Sequence, residues 1–135
     1  MKEEIMDQKS YYRWLFIVGA LWNWGAAILF FFWCDPIFAL LNMKAINYPA
    51  VMQLAMALVF ALGIGYYWVS RDLSKNHDLV KIGIIAKILV FLVLSYHYLI
   101  GNIPLLLALC GVVDLTFSLL FIEFLRSAIR VRVLA

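Results

Sequence analysis

Charged residues are scarce in this sequence of 135 residues. Only 14% of the residues are Asp, Glu, Lys or Arg, whereas 67% are hydrophobic, and the mean hydropathy is +0.97. A water-soluble domain of this length would bury only about two thirds of its surface, so this chain has too few polar residues to cover the remainder. The composition therefore excludes a water-soluble domain and indicates that lipid surrounds most of the surface.

Cysteine and histidine are also scarce, which argues against most metal and redox sites. The two cysteines, Cys34 and Cys110, have no CxxC spacing and no nearby histidine, so we expect neither a zinc site nor a dithiol centre. We interpret both cysteines as packing residues. His77 and His97 are predicted on opposite sides of the membrane, which disfavours haem ligation. The sequence thus predicts no metal and no cofactor.

The net charge is +3 and the pI is near 9.0, but the basic residues are scattered over helix ends rather than gathered in a stripe. We therefore expect no nucleic-acid partner and interpret the basic residues as topology signals.

Four apolar runs dominate the rest of the chain: 13–33, 50–70, 79–100 and 104–126. Each has about 20 residues, the length that a helix needs to cross roughly 30 Å of hydrocarbon. Helices are expected because lipid offers the backbone no hydrogen-bond partners. The first run is too long for a cleaved signal peptide. The fold prediction is an all-α integral membrane protein, a four-helix transmembrane bundle that forms a single domain over 1–135.

Proline and glycine mark the ends of these runs. Asp35-Pro36 is predicted to end the first span, Pro49 to open the second, and 101–104 to form a tight hairpin. The 34–49 connection is longer and apolar, which indicates a short helix lying in the membrane interface.

The basic residues segregate to one side of the predicted spans. Nine of the eleven basic residues lie on one side, Lys44 lies on the opposite side, and Lys87 lies inside a span. The positive-inside rule therefore predicts that both termini are cytoplasmic. The other nine of the eleven are Lys2, Lys9, Arg13, Arg71, Lys75, Lys81, Arg126, Arg130 and Arg132.

Two ionisable residues fall inside predicted spans, where an isolated charge costs several kcal/mol. Lys87 lies about 12 Å from the cytoplasmic end of its span and Asp114 about 18 Å from the same side. Their helices form a hairpin, so we expect an ion pair within reach of the lysine side chain. The pair could fix helix register alone. Alternatively, it could form a polar cavity that binds a head group or passes a proton.

Other polar or small residues recur at helical spacing. We interpret two such stripes as tight helix contacts. They are Gly19, Asn23 and Ala27 in the first span, and Ala57, Ala61 and Gly65 in the second.

We expect the cavity beside the Lys87–Asp114 pair to admit Asn23 or Tyr66 as well. Gln53, near the outer end of the second span, could line an outward-facing vestibule with residues 96–98, although aromatic residues and a lone histidine are also typical of a membrane interface. The candidate ligand-binding residues are Lys87, Asp114, Asn23, Tyr66 and Gln53.

A series of short motifs runs along the chain: Asn47-Tyr48-Pro49, Gln53, Gly63-Ile64-Gly65-Tyr66, Arg71-Asp72, His77, Gly83, Lys87, Gly101-Asn102-Ile103-Pro104 and Asp114. This order of motifs resembles a group of small bacterial four-span inner-membrane proteins of unknown function. They are sometimes described as alkyl hydroperoxide reductases or small efflux proteins and are loosely similar to the DoxX-like proteins. The resemblance covers nearly the whole chain and implies a bacterial inner-membrane location. Directly after Asp114, where we expect an aromatic residue in many relatives, this chain has Leu115 and then Thr116.

The peroxidase label does not fit, because thiol peroxidases need an accessible, low-pKa cysteine beside a resolving partner. A small multidrug exporter would need an acidic residue in the first span, which offers only Asn23. The leading hypothesis is a membrane protein that binds or transports a small or amphipathic molecule at the Lys87–Asp114 site. The alternatives are an intramembrane enzyme acting on lipid or sterol-like substrates and an accessory subunit of a larger complex. Membrane lipid and a homo-oligomer or complex partner are expected, because four spans enclose little volume.

Overall fold

The computed structural model describes the backbone of residues 1–134 and the side chains of residues 1–128. Arg130 and Arg132, which belong to the predicted basic side, lie outside the described side chains. The described chain is helical, and four of its helices are long and apolar enough to cross a membrane, so the predicted all-α class with four membrane-length helices is confirmed. The helices are α1 (Lys2–Phe32), α2 (Cys34–Leu40), α3 (Pro49–Arg71), α4 (His77–Leu99) and α5 (Leu105–Leu134).

The first and last long helices extend beyond the apolar runs. α1 begins at Lys2 instead of near residue 13, and Glu3 and Glu4 in its first turn complement the helix dipole. α5 continues past residue 126, and no proline or glycine follows Gly111 to interrupt it. Hydrophobicity thus predicts the membrane-length part of a helix, while polar helix-forming residues continue it.

The predicted end of the first span, at residue 33 just before Asp35-Pro36, is confirmed to within one residue. α1 ends at Phe32, and Pro36 lies in the first turn of α2, where its missing N–H has no helical acceptor to lose. The predicted short helix in the 34–49 connection is confirmed as α2, and its interfacial location stays a prediction. Pro49 begins α3, as predicted.

The chain divides into two compact units, and each is described by itself. The first runs from Met1 to Arg71 and contains α1, α2 and α3; the second begins at Asp72 and contains α4 and α5. That 1–135 form a single domain stays a prediction.

In the first unit α1 packs against α3, which runs antiparallel to it. A Cβ added to Gly63 would lie 2.6 Å from Nε1 of Trp24 and 3.3 Å from the carbonyl oxygen of Ala20, so only glycine leaves room for the indole. The Trp24 indole donates to the carbonyl oxygen of Phe60 at 3.3 Å. The absence of a side chain at Gly63 therefore allows α1 and α3 to approach closely.

Of the two stripes of small residues, only the first is a helix contact throughout. Gly19, Asn23 and Ala27 are all buried. Ala57 and Ala61 are exposed, and only Gly65 is buried, so the two alanines form no tight contact with α1, and their contact with any other helix stays a prediction. A spacing of four residues selects one helix face but does not say which face meets α1, and Gly63 provides that contact instead.

In the second unit α4 and α5 form the predicted hairpin. Gly101 has a φ of +80°, its N–H donates to Tyr98 O, and the Asn102 N–H donates to His97 O at 2.8 Å. These two bonds make a Schellman motif that satisfies the last carbonyls of α4. The turn from Ile100 to Pro104 then directs α5 back along α4.

Candidate functional site

The second unit places two opposite charges in the middle of its helical hairpin. Lys87 lies about 15 Å along α4 from His77, and Asp114 about 14 Å along α5 from Leu105. The lysine Nζ lies 2.6 Å from Oδ1 of Asp114 and donates a hydrogen bond to it. The predicted ion pair is therefore confirmed as a contact, while its role as a ligand site stays a prediction.

The surroundings of this pair are apolar. The Lys87 side chain is 5% exposed and that of Asp114 is 14% exposed. Nζ also lies 5.1 Å from the centre of the Phe117 ring, which adds a cation–π contact one helical turn from Asp114. Water is largely excluded from the ammonium, so the pair stabilises two charges that would each be costly alone.

Close approach of the two helices supports this geometry. A Cβ on Gly111 would lie 3.3 Å from Cβ of Leu94 and 3.4 Å from Cα of Phe91, so the backbones are nearest about one turn from Asp114. At the other end of the hairpin, the His77 ring meets the Phe124 ring edge-on with centroids 5.6 Å apart. The antiparallel register set by the 101–104 turn thus places Lys87 opposite Asp114.

The other three candidate residues belong to the first unit. Asn23 is 5% exposed, and its Nδ2 donates to the carbonyl oxygen of Val59 at 3.2 Å. Tyr66 is 1% exposed in α3. Gln53 is exposed, with Nε2 at 3.5 Å from the carbonyl oxygen of Phe31. A cavity that joins any of them to the Lys87–Asp114 pair stays a prediction.

At the α4–α5 turn, the predicted aromatic cluster has an ordinary structural explanation. Asn102 Nδ2 donates to Nδ1 of His97 at 3.0 Å, and the His97 ring meets Tyr96 edge-on. His97 therefore makes its hydrogen bond within the turn, and its location at the membrane interface stays a prediction.

The first unit contains a cavity of which the sequence predicted only one lining residue, Gln53. It has a volume of about 180 Å³ and lies where α1 ends, α2 begins and α3 starts. The sequence indicated Gln53 as a vestibule residue but gave no reason to join it to Asp35, because the long 34–49 connection leaves the register of α1 against α3 open. Its lining residues are Phe30, Phe31, Phe32, Cys34, Asp35, Pro36, Ile46, Pro49, Met52 and Gln53.

The thiol in this cavity has the wrong properties for peroxidase chemistry. Burial, and then the negative charge of Asp35, raise the pKa of Cys34 above its ordinary value. A thiol peroxidase needs the opposite shift. Among the residues whose side chains are described, no group of three His, Cys, Asp or Glu is placed to hold a metal ion.

These observations define a helical protein with four membrane-length helices and a buried ion pair in its second hairpin. Comparison of the chain with protein-family models, with curated proteins and with solved structures finds no match. The resemblance to bacterial four-span proteins therefore stays a prediction from the sequence motifs.

Proposed function

We propose that this chain is a non-enzymatic membrane protein that binds or transports a small or amphipathic molecule through the Lys87–Asp114 pair. The observation that carries the proposal is the depth and burial of the pair: Nζ and Oδ1 are 2.6 Å apart, near the middle of two membrane-length helices.

An ion pair in this position suits reversible binding. Each partner neutralises the other, so the empty site avoids the cost of an isolated charge. A ligand with an anionic group can compete for Lys87, a cationic group or a proton can compete for Asp114, and a zwitterion can engage both. Exchange of one partner for another changes the net charge of the site. In an apolar environment such a change has a large effect on the free energy of the site.

The setting of the site follows from the charge distribution and the resemblance. We place the chain in a bacterial cytoplasmic membrane with both termini in the cytoplasm, because the basic residues segregate to that side. We also propose a homo-oligomer or a membrane-complex partner. Ala61 supports this, because its exposed small side chain would permit close approach of another helix.

Native mass spectrometry of the protein gently extracted from membranes tests the proposal. The wild type should retain a small molecule or lipid at a fixed stoichiometry. The double variant Lys87→Met with Asp114→Leu should lose it while remaining folded. A matched control, Lys81→Met with Asp78→Leu, removes the exposed ion pair of α4, whose charges are 2.8 Å apart, and should retain the ligand. Equal retention by both double variants would contradict the proposal, and a stoichiometric protein in place of a ligand would favour an accessory subunit.

A further inference from the structure

Among the residues that line the cavity at the end of the first unit, Asp35 is the one that carries a charge. Asp35 contributes a carboxylate, and Gln53 uses its Nε2 toward the carbonyl oxygen of Phe31, which leaves its side-chain oxygen as an acceptor. None of the described side chains that line the cavity is basic. The polar lining therefore favours a ligand group that donates hydrogen bonds or carries positive charge.

Aromatic rings form a large part of the same wall. Phe31 and Phe32 meet edge-on with centroids 4.9 Å apart, and both line the cavity with Phe30. Phenyl faces attract organic cations, most strongly where water is partly excluded. A carboxylate beside several phenylalanines is the combination that recognises an alkylammonium group.

A second, apolar cavity adjoins the first. It has a volume of about 280 Å³, and its lining includes Phe31 and Phe32, which it shares with the acidic cavity. Ala57 also lies in this lining, and its small, exposed side chain leaves room for a ligand here. The remaining lining residues are Ala27, Ile28, Met56 and Phe60.

We propose that these two cavities form one binding site for an amphipathic organic cation. The ammonium group lies against Asp35, Gln53 and the phenylalanine rings, and the hydrocarbon chain lies in the apolar cavity along Ala57. The site consists of residues of the first unit alone. It does not depend on the Lys87–Asp114 pair, so loss of either site leaves the other testable.

The probe for the head group is tetramethylammonium, which is small and water-soluble. Saturation-transfer NMR of its methyl signal, with the full chain in a neutral maltoside detergent, should show saturable binding. Asp35→Asn should weaken this binding about fivefold, as expected for loss of one partly exposed charge. The matched control Asp7→Asn removes an exposed carboxylate of α1 outside the cavity and should bind as the wild type does.

The contribution of the ligand's hydrocarbon chain to binding is measured by competition. Octyltrimethylammonium should displace tetramethylammonium at a concentration at least tenfold lower than ethyltrimethylammonium, because the longer chain buries more apolar surface. Ala57→Leu should remove most of this advantage without weakening tetramethylammonium binding. Ala55→Leu, at an exposed position outside both linings, should preserve it.

Octyl sulfate provides the decisive comparison, since it has the same chain length and the opposite charge, and it needs no variant. Displacement of tetramethylammonium by octyl sulfate as effectively as by octyltrimethylammonium would overturn the proposal, as would unsaturable binding or full binding by a folded Asp35→Asn variant. Added phosphatidylcholine then distinguishes two sources of the same chemistry: competition identifies a lipid head group, and no competition identifies a free amphipathic cation.

Discussion

At the scale of single residues, neighbouring charge and burial decide what a reactive group can do. Cys34 is half-buried beside Asp35, and both effects disfavour its thiolate. The thiolate fraction at neutral pH is therefore lower than in a free cysteine. Cys34 is thereby suited to lining a cavity and unsuited to nucleophilic chemistry.

Cysteine alkylation measures this property. In a Cys110→Ser background, the rate of Cys34 modification by iodoacetamide should rise with pH through a midpoint above that of a small-molecule thiol. Asp35→Asn removes one of the two causes of the raised pKa of Cys34, so it should move the midpoint to lower pH. A midpoint below that of the reference thiol would show that the thiolate is stabilised and would contradict this account.

The residues of the ion pair could be predicted from sequence because the short 101–104 turn fixes the register of α4 against α5. Counting along both helices then puts Lys87 near Asp114. No comparable constraint exists for Asn23, because the longer 34–49 connection leaves the register of α1 against α3 open. Its acceptor, the carbonyl oxygen of Val59, therefore could not be predicted, although its burial could.

At the scale of helices, glycine positions determine where backbones approach. Gly63 and Gly25 lie in the same pair of helices but in different surroundings: a Cβ at position 63 would collide with Trp24, whereas a Cβ at position 25 would meet nothing within 4 Å. Helical periodicity alone does not indicate which of the two glycines lies at a helix contact. The contact depends on which helix face meets the partner.

The two glycines make a matched pair of variants. Gly25→Ala should raise the free energy of unfolding by up to about 1 kcal/mol through better helix propensity. Gly63→Ala gains the same propensity but displaces the indole, and since overpacking costs about 1 to 3 kcal/mol, it should lower stability by about 1 kcal/mol. Reversible unfolding in mixed micelles measures both. Equal effects of the two substitutions would contradict the assigned α1–α3 contact.

At the scale of the whole molecule, we predict four membrane crossings with both termini in the cytoplasm, because the basic residues segregate to one side of the four apolar runs. In a chain lacking Cys34 and Cys110, a cysteine replacing Lys75 should resist an impermeant maleimide in intact cells, and a cysteine replacing Lys44 should react. The opposite labelling pattern would reverse the orientation, and labelling at both positions would contradict a unique topology.

The two charges of Lys87 and Asp114 compensate each other in the apolar surroundings of the second hairpin. A double-mutant cycle measures this compensation, with the free energy of unfolding determined for the wild type, Lys87→Met, Asp114→Leu and the double variant. Each single variant should lose about 3 to 5 kcal/mol because it leaves one buried charge, and the double variant should recover much of that loss. The exposed Lys81–Asp78 pair, treated identically, should show no measurable coupling, because solvent screens both charges. Additive losses at Lys87 and Asp114, or single variants as stable as the wild type, would contradict this compensation.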